Sequence, residues 1–429
     1  MLPAGYLRGY SLGTDHIIVS HQPVREQGTE MLDKTLAPNC AICGGLITGE
    51  SESNEHAIPA AIGGRLKVKG FICRRCNSDS GFTWDAKLVS QLHPLSLLFG
   101  VERQRGSTPG LPIITTAGEE LVINAKGGFT PTRPSFSEET APEGVKIQIM
   151  ARSMDEAKRM LAGVKRKYRN VDIDRILADA QMSTAYPKGL VHHCLEFGGE
   201  LSGRSIVKSV LAMAHHAGIP TSLCHDALDY LQDPSAAPCF GHYQATDLVV
   251  DRPPEVPLNC VGVEANPDTG LVLGYAEYFG VYRVVVCLSR RYAGGRVQEC
   301  YAIDPRTGVK LDLSISLGFS EAEIKAIYDY EMIPDGAIQE AFAKVMPAAI
   351  KKQFEAERER VTTEAVEYAF ANCGANPGEM LTKEHVKKLS RLMAEKLVPF
   401  ILHNLARPHV TTIPATADQP VDTVASCRD

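Results

Sequence analysis

Four cysteines in two close pairs are the residues with the clearest chemistry in this chain. Cys40 and Cys43 form one Cys-x-x-Cys unit, and Cys73 and Cys76 form the other. Thiolates in two such units at this separation are typical ligands of a tetrahedral zinc ion. The sequence therefore predicts a structural Zn2+ site, because an ion surrounded by four sulfurs keeps no open position for a substrate.

An acid, an imidazole and an amide lie beside these cysteines. Glu55 and His56 stand between the two pairs, and Asn77 directly follows Cys76. An imidazole has the ordinary pKa best suited to removing a proton from water near neutral pH. A carboxylate and an amide oxygen suit a hard divalent cation that keeps room for water and phosphate oxygens. The group predicts a hydrolytic centre for phosphodiesters. The alternative is a module that only binds nucleic acid or protein, with His56 an ordinary buried histidine.

The motif around these residues resembles the HNH endonuclease superfamily, also called the ββα-metal nucleases. The similarity lies in Glu55–Pro59, in Gly63-Gly64 and in Cys73–Asn77, and it continues to Gly81 and Asp85. More narrowly, the segment is similar to the subgroup in which two zinc knuckles flank such a stretch. The resemblance covers about 60 of the 429 residues.

The resemblance implies a fold and a set of roles. The fold would be a β-hairpin followed by a helix, with His56 ending the first strand and Asn77 beginning the helix. In the family, the histidine is the general base, and the neighbouring acid and the residue after the last cysteine hold one divalent cation. These roles fall on His56, Glu55 and Asn77, with Mg2+ or Mn2+ as the catalytic ion and DNA as the substrate.

This sequence also departs from the family pattern. Val68 and Lys69 occupy the stretch where many members carry an Asn or His that orients the catalytic imidazole. A backbone carbonyl is the expected substitute support for His56, and weak activity is the alternative. Asp79 and Asp85 are further candidates for the metal or its waters, although Asp85 could equally be a helix-surface acid or a structural contact.

Basic residues inside the same segment are candidates for gripping phosphates. They are Arg65, Lys67, Lys69, Arg74 and Arg75. The formal net charge of −6 argues against a uniformly basic surface. It leaves a local basic patch open, because only charge near the bound phosphates contributes to binding.

Length and composition predict a multidomain globular protein of the α+β class. The chain has 429 residues, of which 44% are hydrophobic and 22% charged. Changes along the chain in the pattern of apolar residues and of glycine and proline divide it into five parts. These are an N-terminal arm at 1–35, the nuclease module at 36–105, an α+β region at 106–315, a helical region at 316–407 and a disordered tail at 408–429.

Three local patterns outside the module are specific enough to test. A helix is predicted over Ser202–Ala217, with Ile206, Val210 and Met213 on one face. Two antiparallel strands are predicted within Leu271–Leu288, meeting near Tyr278-Phe279-Gly280. The adjacent histidines His215 and His216 are interpreted as ordinary structural or surface residues.

The sequence leaves the role of the large region after the module open. It could recognise DNA, bind a small regulatory ligand as in a ligand-activated defence effector, or form a homodimer that cuts both strands. A zinc-dependent nucleic-acid-binding protein without catalysis is the third class of hypothesis. No signal peptide or membrane segment is recognised, so a cytoplasmic location without membrane association is expected.

Overall fold

A computed structural model gives the arrangement of most of the chain. It describes residues 38–104, 106–125, 127–142, 144–178, 186–191 and 193–406. The predicted arm at 1–35 and tail at 408–429 lie outside the described residues.

The cysteine-containing segment folds as a β-hairpin followed by a helix, which confirms the expected order. Strand β1 (Glu52–His56) pairs antiparallel with β2 (Lys67–Cys73), and helix α1 (Arg74–Ser80) follows at once. One π-helical turn, Gly81–Asp85, joins α1 to helix α2 (Ala86–Phe99). His56 is the last residue of β1, and Asn77 lies near the beginning of α1.

Two small antiparallel sheets and two helices form the next part of the chain. Their bounds are β3 (Leu111–Ile114), β4 (Glu120–Ile123), β5 (Phe129–Pro131), β6 (Ser135–Ala141), β7 (Gly144–Met150), α3 (Met154–Lys167) and α4 (Ile173–Ala178). Strands β3, β4 and β5 form one sheet, and β6 pairs with β7.

A six-stranded antiparallel sheet forms the centre of the α+β region. The elements are α5 (Glu200–His216), α6 (His225–Gln232), β8 (Phe240–His242), β9 (Val249–Val250), β10 (Asn259–Asn266), β11 (Leu271–Tyr278), β12 (Tyr282–Ser289), β13 (Val297–Asp304), β14 (Val309–Leu311), β15 (Ser314–Ile315) and α7 (Glu321–Tyr328). The strand order is β14-β13-β10-β11-β12-β8, and β9 pairs with β15. The predicted strands β11 and β12 are confirmed. Phe279 and Gly280 have positive φ in the turn between them.

Helix α5 lies between this sheet and the cysteine-containing segment. It packs on β10 to β13 on one side, and on β1, β2 and α2 on the other. A helix enclosed in this way should be apolar on every side, and the whole stretch from Ser202 to Ala214 is buried. The prediction of a single core-facing stripe was therefore too narrow. Gly274 permits the close approach, because a Cβ there would lie 2.0 Å from Cγ1 of Val210.

The C-terminal region is helical, as predicted. Helix α8 (Ala337–Asn372) and helix α9 (Lys383–Ala406) pack against each other, with the rings of Phe354 and Phe400 stacked 5.9 Å apart. Lys352 Nζ of α8 donates to the carbonyls of Phe99 and Gly100 at 3.0 and 3.2 Å. These bonds satisfy carbonyls at the end of α2, which the helix itself leaves unpaired. Among the described helices, none combines the length and apolar character that a membrane span requires.

Candidate functional site

The four predicted zinc ligands lie together. The sulfur atoms of Cys40, Cys43, Cys73 and Cys76 are all within 4.8 Å of one another. The first pair stands on a tight turn in which the Gly44 N–H donates to the Cys40 carbonyl at 2.8 Å. The backbone N–H of Gly45 is the main cause that lowers the pKa of Cys43 to about 7. This set, called the zinc cluster below, is compatible with one structural zinc ion held tetrahedrally by four thiolates.

Glu55 and His56 are adjacent in strand β1, so their side chains leave the strand on opposite faces. Ser53 and Glu55 are buried, whereas Asn54 is exposed and His56 is half-buried. Alternation along a strand explains this separation. His56 pairs with Lys67 across the hairpin, while Glu55 is buried and β1 packs against α5.

Glu55 is held by a lysine from α5. Lys208 Nζ donates to Oε1 of Glu55 at 2.6 Å and to Oδ2 of Asp85 at 2.7 Å. Lys208 is fully buried, and the side chain of Glu55 is only 6% exposed. The Oγ of Ser80 also lies 3.3 Å from the same ammonium. Glu55, Asp85 and Lys208, called the carboxylate–lysine cluster below, thus join β1, the π-helical turn and α5.

The charges of this cluster do not cancel. Burial alone would lower the pKa of Lys208, but Asp85 and Glu55 outweigh burial and raise it, so Lys208 carries a proton. Burial raises the pKa of Glu55, and the Lys208 ammonium opposes that shift. With both acids ionised, two negative charges face one positive charge. The cluster then keeps one net negative charge.

His56 presents a nitrogen without a partner. Its Nε2 is buried and makes no hydrogen bond within the described structure. The backbone support expected from the sequence would engage the other ring nitrogen, so it stays a prediction. Burial, followed by the positive charges of Lys67 and Lys208, lowers the pKa of His56 below its ordinary value. The imidazole is therefore neutral at neutral pH and able to accept a proton.

Asn77 lies on α1 one turn before Ser80. Residues three apart on a helix share a face, and Ser80 reaches Lys208 beside Glu55. Asn77 is half-buried, and α1 packs against both strands of the hairpin. Asn77 therefore shares the face of α1 that carries Ser80.

The donor set fits a hard divalent cation held by few protein groups. Oε1 of Glu55 is taken by Lys208, but no described residue donates a hydrogen bond to Oε2. A carboxylate oxygen and an amide oxygen are the ligands that Mg2+ accepts while it keeps several waters. Within the described ranges, the zinc cluster is the one group of three or more His, Cys, Asp or Glu side chains close enough to share an ion. A cation at Glu55 would therefore have fewer protein ligands than the zinc.

The two further acidic candidates, Asp85 and Asp79, have different surroundings. Asp85 accepts from Ser205 Oγ at 2.6 Å as well as from Lys208, so it is the structural contact that the sequence left as an alternative. Asp79 is exposed and lies 3.7 Å from Arg75.

The five basic candidates divide into two groups. Lys67, Lys69, Arg74 and Arg75 are exposed on the hairpin and at the beginning of α1. Arg65 is half-buried, pairs with Glu102 at 3.1 Å and reaches the carbonyl of Thr307. Arg65 thus fastens the segment to the turn after β13.

Sequence reasoning missed Lys208 and Ser205. One signal was available, since Lys208 is the lone lysine in the apolar run of α5 between Ser205 and Ala214. A lysine in such a run must meet an acid when the helix is buried on all sides. The pattern alone does not say which acid.

Comparison with known protein families covers the same segment. Residues 40–93 match the family model described as HNH endonuclease, which confirms the resemblance and places this stretch in that family. No curated protein and no solved structure matches the chain. The match indicates a nuclease module that acts on nucleic acid, and it ends before the α+β region.

Proposed function

With residues 40–93 forming an HNH module, we propose that the protein is an endonuclease that hydrolyses phosphodiester bonds of DNA with the help of a divalent cation. His56 is the general base, and Glu55 and Asn77 hold the cation, with Mg2+ or Mn2+ as the ion. The observation that carries this proposal is the His56 imidazole. Its Nε2 is buried and has no hydrogen-bond partner among the described residues. The residue before it, Glu55, accepts a hydrogen bond from Lys208 at one carboxylate oxygen, and no described residue donates to the other.

The reaction requires a base at His56. Nε2 takes a proton from the attacking water, the new bond forms between that oxygen and phosphorus, and the bond from phosphorus to the leaving sugar oxygen breaks. The lowered pKa keeps the imidazole in the neutral form that this step needs. A divalent cation at Glu55 and Asn77 would neutralise charge on the phosphate and on the leaving oxygen.

The exposed basic residues would hold the DNA backbone beside this base. Lys67 is exposed and pairs with His56 across the hairpin, and the exposed Lys69 lies two residues further along β2. Arg74 and Arg75 begin the adjacent helix α1. Such side chains position a duplex through its phosphates without reading its sequence. Arg65 is left out of this group because Glu102 and Thr307 already engage it.

Plasmid cleavage by zinc-loaded protein tests the proposal. We expect cutting with Mg2+ or Mn2+ and none when these ions are left out. EDTA is unsuitable for this arm, because it would also remove the structural zinc. His56→Ala should reduce the rate by about 10²- to 10⁴-fold, the usual contribution of a general base. His216→Ala, at an exposed histidine at the end of α5, is the matched control and should cut like wild type.

The other hypotheses correspond to different outcomes of this experiment. Folded, zinc-loaded wild type that binds DNA but never cuts it would indicate the non-catalytic binding protein. Cutting that requires added nucleotides or a cell extract would indicate a ligand-activated effector. Equal rates for wild type and His56→Ala would refute the role given to His56.

A further inference from the structure

We infer that Lys208 is a positioning residue of the nuclease centre, supplied from outside the HNH module. It fixes the Glu55 carboxylate so that one oxygen is tied to the protein and the other is left for the cation. This inference deepens the proposed function and rests on it. Its observations lie in α5, beyond the segment that matches the family.

The position of Lys208 restricts what it can do. Its side chain has no exposed surface, so it cannot touch DNA. Its ammonium donates to Glu55 Oε1 at 2.6 Å. Among the three residues of the proposed centre, Glu55 is the one that Lys208 contacts directly, so its positioning role acts through that carboxylate.

The presence of Asp85 as a second acid indicates that Glu55 is not there only to neutralise Lys208. One carboxylate would be enough to compensate a buried lysine, yet both Glu55 and Asp85 contact it. Asp85 is itself fixed by the Ser205 hydroxyl at 2.6 Å. Asp85 and Lys208 thus balance each other, and the charge of Glu55 remains available to a divalent cation. Partners of this kind behind a metal ligand commonly set its orientation and its affinity.

The local backbone is built to bring Asp85 to this place. The turn from Gly81 to Asp85 is π-helical, and turns of this kind inside helices are often associated with functional sites. Helix α5 cannot shift easily, because the sheet lies on one side and the hairpin on the other. Glu55 is consequently held from behind by a rigid element that is 153 residues distant in the chain.

The test removes the lysine together with its balancing acid. Lys208→Met alone would leave the carboxylates of Glu55 and Asp85 without their shared cation, so the double variant Lys208→Met/Asp85→Asn is used. The matched control is Arg252→Met/Asp247→Asn. Arg252 also stands between two acids, Asp247 and Glu277, but these lie in the sheet region. Each protein is assayed for Mn2+ affinity by electron paramagnetic resonance, for plasmid cleavage over a range of Mn2+ concentrations, and for thermal unfolding.

We expect the double variant at Lys208 to lose about 10- to 100-fold in Mn2+ affinity, the usual effect of removing such a partner. Cleavage should fall at low Mn2+ and recover substantially when Mn2+ is raised, which a general loss of structure would not produce. The control should bind Mn2+ and cut like wild type. Asp85→Asn is the milder second variant, since its amide oxygen can still accept from Lys208 while its amide nitrogen donates to the Ser205 hydroxyl. It should also weaken Mn2+ binding, because the excess negative charge is gone.

Other results would overturn the inference. Unchanged Mn2+ affinity and cleavage in the double variant and in Asp85→Asn would make Lys208 a structural residue only, with the nuclease proposal intact. Tighter Mn2+ binding would mean that Lys208 competes with the cation for Glu55. Wild type that neither binds Mn2+ nor cleaves DNA would refute the proposed function and this inference with it.

Discussion

The zinc cluster and the carboxylate–lysine cluster both gather charged groups around the same hairpin, but they are built over very different chain distances. The four cysteines come from one short segment, and Cys40 and Cys76 bound it. Glu55 lies inside that segment and Asp85 lies shortly after it, whereas Lys208 comes from α5. The cysteine cluster is therefore local in the chain, while the arrangement of Glu55 depends on a helix far beyond the module in the sequence.

The two clusters also differ in how their charge is balanced. Four thiolates have no cation of their own and need an external ion. The carboxylate–lysine cluster contains its own cation, Lys208. We therefore expect loss of the zinc ion to unfold the zinc cluster, and loss of Lys208 to disturb the position of the Glu55 carboxylate.

Zinc removal should have the largest effect on the molecule. Binding of structural zinc contributes about 10–16 kcal/mol in small zinc domains, more than the whole stability of many proteins. A tight chelator, or Cys76→Ser, should abolish the folded hairpin and lower the melting temperature sharply, with one zinc per chain measured in wild type. Cys373→Ala, at a buried thiol next to α8, is the control and should keep its zinc. A Cys76→Ser protein with full zinc content and unchanged melting would disprove the site.

Lys208→Met should have the next largest effect. It leaves the buried Glu55 and the half-buried Asp85 without a cation, and breaking a buried pair from one side typically costs about 3–5 kcal/mol. Urea unfolding measures the loss. Adding Asp85→Asn should recover a large part of it, because like charges then no longer face each other. A loss below about 1 kcal/mol would mean that the two acids are solvated and that α5 does not enclose them.

The contrast between the clusters also explains what the sequence could predict. The zinc ligands, Glu55, His56 and Asn77 stand at fixed local spacings, so they could be found without a fold. The pair β11 and β12 was predictable because a short turn at Phe279-Gly280 connects adjacent strands. All of these features depend on residues close together in the chain.

Contacts between distant segments were not predictable from local patterns. Lys208 reads as an ordinary helix residue until α5 is known to be covered on both sides. Arg65 reads as one more member of a basic cluster, yet Glu102 and the carbonyl of Thr307 engage it. The order of the central sheet, in which β10 lies between β13 and β11, likewise follows from pairings that no local spacing encodes.

Substitutions of the basic residues should affect either DNA binding or protein stability, depending on whether the residue is exposed or engaged within the protein. Lys67→Ala and Lys69→Ala remove exposed charges, so each should weaken DNA binding uniformly across sequences and reduce the salt slope by about 1. Their stability should stay within about 0.5 kcal/mol of wild type. Arg65→Ala should do the reverse, with lower stability and an unchanged salt slope. Fluorescence anisotropy at several salt concentrations, beside thermal unfolding, distinguishes the two. A reduced salt slope for Arg65→Ala would mean that Arg65 contacts the DNA backbone.

The smallest effect should come from the contact that closes α5 onto the hairpin. Nε2 of His215 lies 3.1 Å from the carbonyl oxygen of Lys69, and its ring lies against Phe71. Burial is the main cause that lowers the pKa of His215, and the Lys69 carbonyl only partly offsets it. The folded protein thus binds the His215 proton less readily than the unfolded chain does. The stability that His215 contributes is present above the pKa of the unfolded chain and is lost as the pH falls through the folded pKa.

His215→Gln tests this sign. A glutamine amide can still donate to the Lys69 carbonyl but does not titrate. The free energy of unfolding should fall more steeply for wild type than for His215→Gln when the pH is lowered from about 7 to about 5, as measured by urea unfolding at each pH. Other half-buried histidines, such as His93 and His242, are common to both proteins, so their contributions cancel in the difference. Parallel curves would mean that protonated His215 is tolerated in place, and that the hairpin and α5 are joined more loosely at this end than at Lys208.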